Sequence, residues 1–375
     1  MLIRIISLLI IFITQINADE FFQKKKLFEG GRFPGLGISH KGTVMAFWGD
    51  QNLIMRRSFD QGKTFGKQIV IAEKGINGGG VIVEKNSGRV LAFSQSKHPP
   101  AENFIHESYD DGLTWNISKL NLFNEKEVGQ TQLHFAGSGI ELEHGECKNR
   151  IIRPTRVYGI KDGYNNAIYS DNSNQWIVSG DFPVKATGEG AIIELENGTL
   201  LYSSRRHWFS DQKTASPFRL FAYSYDCGET WESPFESKGL FDGPRHRDIN
   251  EDKGPTHQGH FGLMGDLSKI SLDGVEVLFH SNVYEVESDW KRRGLTIWAS
   301  IDGGKSWPFK RKIHNGPSAY SALQTIQNKK DNMKSLVMIH FEGGEEKEYE
   351  GSYFSIFNLY WFFGDNINFV SSLRE

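Results

Sequence analysis

The sequence predicts an all-β protein, a six-bladed β-propeller of four-stranded antiparallel blades, and three observations predict it. An eight-residue turn motif recurs at long intervals, short β-branched and aromatic runs fill the intervals, and no sustained helical period is present. The motif is read at Ser58 to Phe65 (SFDQGKTF), Ser108 to Trp115 (SYDDGLTW), Ser224 to Trp231 (SYDCGETW) and Ser300 to Trp307 (SIDGGKSW), all fitting Ser-x-Asp-x-Gly-x-Thr/Ser-aromatic. Ser170 to Trp176 (SDNSNQW) is a degenerate relative, one residue short. An Asp side chain can accept from the amides of its own turn, Gly supplies a φ that other residues avoid, and the aromatic plugs the gap between sheets. Such a turn fixes a hairpin and does no chemistry. One copy alone would be an ordinary surface turn, but recurrence about every 50 to 76 residues signals a repeat architecture.

Between the turns run TVMAFWG (43 to 49), RVLAFSQ (89 to 95), AIIEL (191 to 195), TLLYSS (199 to 204), RLFAYSY (219 to 225), VEVLFHS (275 to 281), LTIWAS (295 to 300) and LVMIHF (336 to 341). They are short and bounded by Asn-Gly, Ser-Gly or Asp-Gly, as strands are. Dividing the chain by a spacing of about 60 residues gives about six units, hence six blades. A twin-sheet sandwich is the alternative, but it leaves so long a period unexplained.

The 375 residues suffice for a large core, and no Pro/Ser-rich or charged linker divides them, so 19–375 reads as a single domain. Lys plus Arg number 43 and Asp plus Glu 46, a net charge of −3, which gives no reason to expect a nucleic-acid partner. Residues 1–18 carry Arg4, an apolar run from Ile5 to Ile13 and the small residue Ala18, and read as a signal peptide. The run is too short to span a bilayer comfortably, so the mature protein is expected to be secreted or lumenal, without stable membrane insertion. Two cysteines, Cys147 and Cys227, could pair in an exported chain. Cys227 occupies a variable position of a repeat turn, which favours the unpaired state. Asn116-Ile117-Ser118 and Asn197-Gly198-Thr199 are glycosylation sequons if the source is eukaryotic.

In a propeller, loops of successive blades converge on the axis, so residues distant in sequence can meet there. Arg32, in Gly30-Gly31-Arg32-Phe33-Pro34, stands on a stiff turn suited to presenting a guanidinium to an anion. Asp50 lies in the polar turn Trp48-Gly49-Asp50-Gln51-Asn52, and the His98-Pro99-Pro100-Ala101-Glu102 loop can wall a pocket. The segment from Gly188 to Arg206 reads as a hairpin closed by Asn197-Gly198, which puts Glu189 and Arg205 at one rim and turns Arg206 to the other face. Arg293 leads into the last repeat, with Arg292 adjacent and the register open by one. Tyr320 sits in Ser318-Ala319-Tyr320-Ser321, where small neighbours leave its hydroxyl accessible, and Glu342 precedes Gly343-Gly344.

The recurring turn resembles the Asp-box of the sialidase family, and the resemblance spans Gly30 to Phe363. Arg32 resembles the Arg of the family's Arg-Ile-Pro element, with Phe33 in place of the aliphatic residue. Gly137 to Ile140 with Arg150 to Pro154 resembles the family's mid-chain Gly-rich strand pair. The resemblance implies an Arg triad of Arg32, Arg205 and Arg293 for the substrate carboxylate, Tyr320 as nucleophile, Glu189 as its base, Asp50 as acid/base and Glu342 as the residue that orients Arg32. The Asp50 loop is shorter than the family's.

These residue types suit the implied chemistry. Three guanidiniums can hold the carboxylate that a sialic acid carries on its anomeric carbon. A carboxylate nucleophile would meet that charge, and sialidases, with a tyrosine nucleophile, are a recognised exception to the two-carboxylate scheme. The implied function is a retaining exo-α-sialidase acting on a sialylated glycoprotein, glycolipid or oligosaccharide. No metal-ligand cluster or nucleotide-binding glycine loop stands in the sequence, so no cofactor is expected. Two alternatives stay open: a non-catalytic sialic-acid lectin with the same clamp, and a protein-binding Asp-box scaffold.

Overall fold

The computed structural model describes residues 20–125, 129–160, 163–172, 175–207, 218–242, 262–284 and 292–366. Residues 1–18, read from the sequence as a signal peptide, lie outside them.

The strand runs read from the sequence form sheets because each is apolar on both faces. Val44, Ala46 and Trp48 pack into one core cluster and Met45 and Phe47 into the next, so a single strand contributes to two cores by its period of two. The first blade is Gly35–Ile38, Val44–Trp48, Leu53–Ser58 and Ile69–Ala72, hydrogen-bonded in that order. In the second, Ile76–Asn77 and Ile82–Val83 share the inner edge of Val90–Gln95, followed by Asn103–Ser108 and Asn116–Lys119. In the third, Gln130–Gln132 and Ile140–Glu141 line Ile151–Tyr158, followed by Asn165–Ser170 and Trp176–Val178. The fourth is Thr187–Glu194, Leu200–Arg206, Phe218–Ser224 and Glu232–Phe241.

The fifth and sixth blades share one long strand, Phe309–Ile326. Its first half pairs through Pro317 with Arg293–Ser300, outside Val275–Val283 and Leu267–Leu272. From Ser318 onward it pairs with Leu336–Gly343 and becomes the innermost strand of the sixth blade. Gly351–Asn358 follows, and Phe22–Glu29 adds antiparallel as the outermost strand. The chain's first strand thus closes the ring on its last blade. The innermost strands touch in a closed circle of six, and each of six core clusters lies between two successive blades. The six-bladed reading is met.

The repeat turns tie these blades together. In each full copy the Ser hydroxyl accepts from the Gly amide and donates to the Asp, which accepts from the amide and hydroxyl of the Thr or Ser four residues on. The residue before the Gly has a positive φ as well, 62° at Gln61 and 61° at Cys227. A Cβ on Gly228 would stand 2.2 Å from Ile152 of the third blade, so this turn presses against the preceding blade and only Gly fits.

Cys147 and Cys227 form a disulfide, with Cα atoms 6.2 Å apart. This corrects the expectation of unpaired thiols: the blade 4 turn that carries Cys227 is pressed onto blade 3, which carries Cys147. Among the described residues, no helix is long and apolar enough to cross a membrane.

Candidate active site

Arg32 is delivered to the axis by a turn with no slack. Gly30 and Gly31 have φ of 51° and 74°, and a Cβ on Gly31 would lie 2.8 Å from Trp48 Nε1. Phe33 also has a positive φ, 68°, and its ring stacks on Phe135 with centroids 3.7 Å apart. The Arg32 guanidinium then lies over the rings of Tyr320, at 5.0 Å, and Tyr349, at 4.2 Å.

Glu342, buried on the sixth blade, fixes two of these parts at once. Its Oε1 accepts from Arg32 Nε at 3.1 Å and from the Phe33 amide at 3.0 Å. Its Oε2 accepts from Arg32 Nη2 at 3.3 Å and from the Tyr320 amide at 3.1 Å. Tyr320 lies within the continuous strand Phe309–Ile326, just beyond Ser318, the residue at which the strand changes blades.

On the fourth blade the register between Thr187–Glu194 and Leu200–Arg206 shifts between Thr187 and Gly190, and Glu189 sits in that irregularity. Tyr320 Oη donates to Glu189 Oε1 at 2.5 Å. Arg205 Nη1 donates to both Glu189 oxygens, at 2.8 and 2.7 Å, and lies 3.1 Å from Tyr320 Oη. Arg206 faces away, paired with Glu236, while its amide donates to Asp242. Burial and then the Glu189 charge push the Tyr320 phenol up, against Arg205, Arg32 and Arg292. Burial alone would raise the Glu189 carboxyl, but Arg205, with His207 and His134, holds it well below the usual carboxylate range. With no ligand bound, the shared proton therefore stays on the phenol.

Of the two arginines between which the sequence left the register open, Arg292 is placed beside Tyr349 and Tyr320. Arg292 Nη1 donates to Tyr349 Oη at 2.6 Å, and its charge acts on the Tyr320 phenol. Arg293 enters the strand opposite Pro317, and none of its described contacts reaches Arg32, Arg205 or Tyr320. Asp50 is half-buried in the turn after Val44–Trp48, and its Oδ1 is 3.5 Å from where a Cβ on Gly31 would stand, beside the Arg32 turn. Among the described residues it makes no hydrogen bond or ion pair. His98 lies near Phe135, with ring centroids 5.8 Å apart, and Phe135 in turn stacks on Phe33.

Sequence reasoning missed the third-blade groups behind Glu189. His134, Tyr158 and Arg156 come from that blade, and His207 from the end of the fourth-blade hairpin. Tyr158 Oη is hydrogen-bonded to His134 Nδ1, and Arg156 Nη1 donates to His207 Nδ1 at 2.6 Å. Gly188 lets His207 in, since a Cβ there would lie 2.6 Å from His207 Nδ1. His134, Glu189 and His207 offer ligand-type atoms within 4.8 Å of one another. Arg205 and Arg156 already face those atoms, and two guanidiniums disfavour a metal cation there.

With this geometry, the relatives fall into place. No family model matches the chain. The chain is 24% identical over 334 residues to a sialidase of Micromonospora viridifaciens, covering 80% of this chain and 48% of that protein, so it spans about half the length of that relative. Among solved structures, a Hadza microbial sialidase superposes with a TM-score of 0.64 at 18% identity, covering 88% of this chain and 66% of its own. The intramolecular trans-sialidase of Ruminococcus gnavus, solved with oseltamivir carboxylate, gives 0.65 at 14% identity, covering 90% and 95%. The fold is that of sialidases. The sequence relative is likewise named a sialidase, in keeping with the resemblance that the motifs carry.

Proposed function

We propose that the chain is a retaining exo-α-sialidase that removes terminal α-linked sialic acids from glycoconjugates. The observation that carries this reading is Tyr320 Oη at 2.5 Å from Glu189 Oε1, with Arg205 3.1 Å away, at the axis of a sialidase-fold propeller.

Arg32, Arg205 and Arg292 bind the sugar carboxylate. Its charge offsets that of Arg205, so Glu189 gains proton affinity when substrate is present. Glu189 takes the phenolic proton, Tyr320 oxygen bonds to the anomeric carbon, and the glycosidic bond breaks as Asp50 gives its proton to the leaving oxygen. Asp50 then takes a proton from water, whose oxygen displaces Tyr320, and the phenolate recovers its proton from Glu189. Inversion at each of the two steps gives retention overall. Cleavage of residues 1–18 and export complete the proposal.

Release of the fluorophore from 4-methylumbelliferyl-N-acetylneuraminic acid by wild type and Tyr320→Phe tests it. Wild-type turnover with a loss of several orders of magnitude in the variant is expected. Two silent proteins that still bind N-acetylneuraminic acid would make the chain a lectin.

A further inference from the structure

Behind the Glu189–Tyr320 pair is a buried donor held just short of a well-formed hydrogen bond to Glu189. His134 is 3% exposed, and its Nε2 makes no hydrogen bond, although it stands 3.4 Å from Glu189 Oε1. A buried ring nitrogen left unpartnered is costly and calls for a reason. The backbone adds a second oddity, since His134 has φ +45°, strain of the kind that collects at functional sites.

The other ring nitrogen is accounted for. Tyr158 Oη lies on His134 Nδ1. Burial pushes the Tyr158 phenol up to about 12 and the His134 imidazole down to about 4, so at neutral pH Tyr158 keeps its proton and His134 is neutral. Nε2 stands 3.4 Å from the Glu189 carboxylate, which repels a bare ring lone pair and so places the ring proton on Nε2, leaving Nδ1 to accept from Tyr158. At present Glu189 Oε1 is taken by Arg205 and Tyr320.

We propose that His134, its tautomer set by Tyr158, is a positioning residue held in reserve for Glu189: when a substrate carboxylate draws Arg205 away, the His134 Nε2–H closes onto Oε1 and keeps the carboxylate aimed at Tyr320. This rests on the sialidase reading, in which an anionic sugar engages Arg205. The charged and titratable groups facing the pair are Arg205, His207, Arg156, Tyr158 and Tyr320. Long contacts in a ligand-free site that tighten in the Michaelis complex are a general feature of catalytic hydrogen bonds.

Two measurements test it on the full chain. The first is 15N histidine NMR of the ligand-free protein, which does not depend on activity. His134 should be the Nε2–H tautomer, and Tyr158→Phe should abolish that preference; an Nδ1–H tautomer in wild type overturns the inference. The second is kinetics on 4-methylumbelliferyl-N-acetylneuraminic acid. His134→Ala should lower kcat about tenfold to a hundredfold, the worth of one hydrogen bond to a charged group, with KM changed far less. His134→Gln, which keeps a donor, should recover part of the loss, and a thermal melt checks that both variants fold. A folded His134→Ala with wild-type kcat overturns the inference while leaving the sialidase reading intact. A wild type that neither turns over nor binds the sugar removes the sialidase reading, and with it the reserve role.

Discussion

Arg292 and Arg293 differ by one position, and it is Arg292 that donates to Tyr349, which lies against Arg32. Arg292→Ala should raise KM for an anionic sialoside about tenfold or more, as loss of a charge-assisted contact to the carboxylate does, while Arg293→Ala should leave KM within a few-fold of wild type. Steady-state kinetics of the two variants decide it, and equal effects or the reverse order would sink the assignment. The sequence left this register open for a physical reason: the pairing with Phe309–Ile326 shifts on both sides of Leu295, so counting alternate residues along the strand fails there. The positions of Arg32, Glu189, Arg205, Tyr320 and Glu342 were legible because each stands beside small or rigid residues whose local geometry is set by the chain itself. His134 and Tyr158 were not legible. They reach Glu189 from another blade, and the left-handed backbone at His134 decides where its ring points.

The repeat turn is the element that the sequence revealed most completely, because its Ser, Asp, Gly and Thr satisfy one another within eight residues. Its longer reach was hidden. Nothing within the turn shows that Gly228 abuts Ile152, or that Cys227 beside it comes within bonding distance of Cys147. That disulfide joins residues 80 apart in sequence and staples the third blade to the fourth. Replacing both cysteines by serine should cost roughly 2–5 kcal/mol of stability, read as a lower urea midpoint. Dithiothreitol should lower the wild-type midpoint to match and leave the double variant unchanged. A double variant as stable as wild type would show that blade packing alone sets this interface.

At the scale of the whole ring, the spacing of the turns announced six blades, but not how they close or what pins the axis. Closure falls to Phe22–Glu29, a strand without a repeat motif, and the axis is pinned by the buried Asp266. Asp266 accepts from the Ser138 amide and hydroxyl, the amide of its own neighbour Leu267 and the Leu323 amide, joining the third, fifth and sixth blades. A ring built from such buried polar groups should be sensitive to acid, and the sign can be worked out. Burial pushes His106, His134 and His340 from the ordinary 6.5 down to about 4. Between those values the unfolded chain binds protons that the native chain refuses, so the stability these groups contribute is full above about 6.5 and drains as pH falls toward 4. Asp266, raised to about 6 by burial, acts the other way, as do the raised Asp242, Glu141 and Glu276, while the lowered His207, His280 and His314 add to the loss. Below about 4 a second loss begins. The turn Asp60 is held at about 2 chiefly by the Thr64 hydroxyl; at Asp110 burial is the largest single effect and raises the carboxyl, but the hydrogen bonds from Thr114 and Ser108 together outweigh it and hold it at about 2, and the contributions of both disappear between the unfolded value and 2. Urea midpoints taken at pH 7.5, 5.5 and 4.5 should therefore fall steadily with acid, whereas a midpoint constant from 7.5 to 4.5 would mean that these histidines already accept protons in the folded ring.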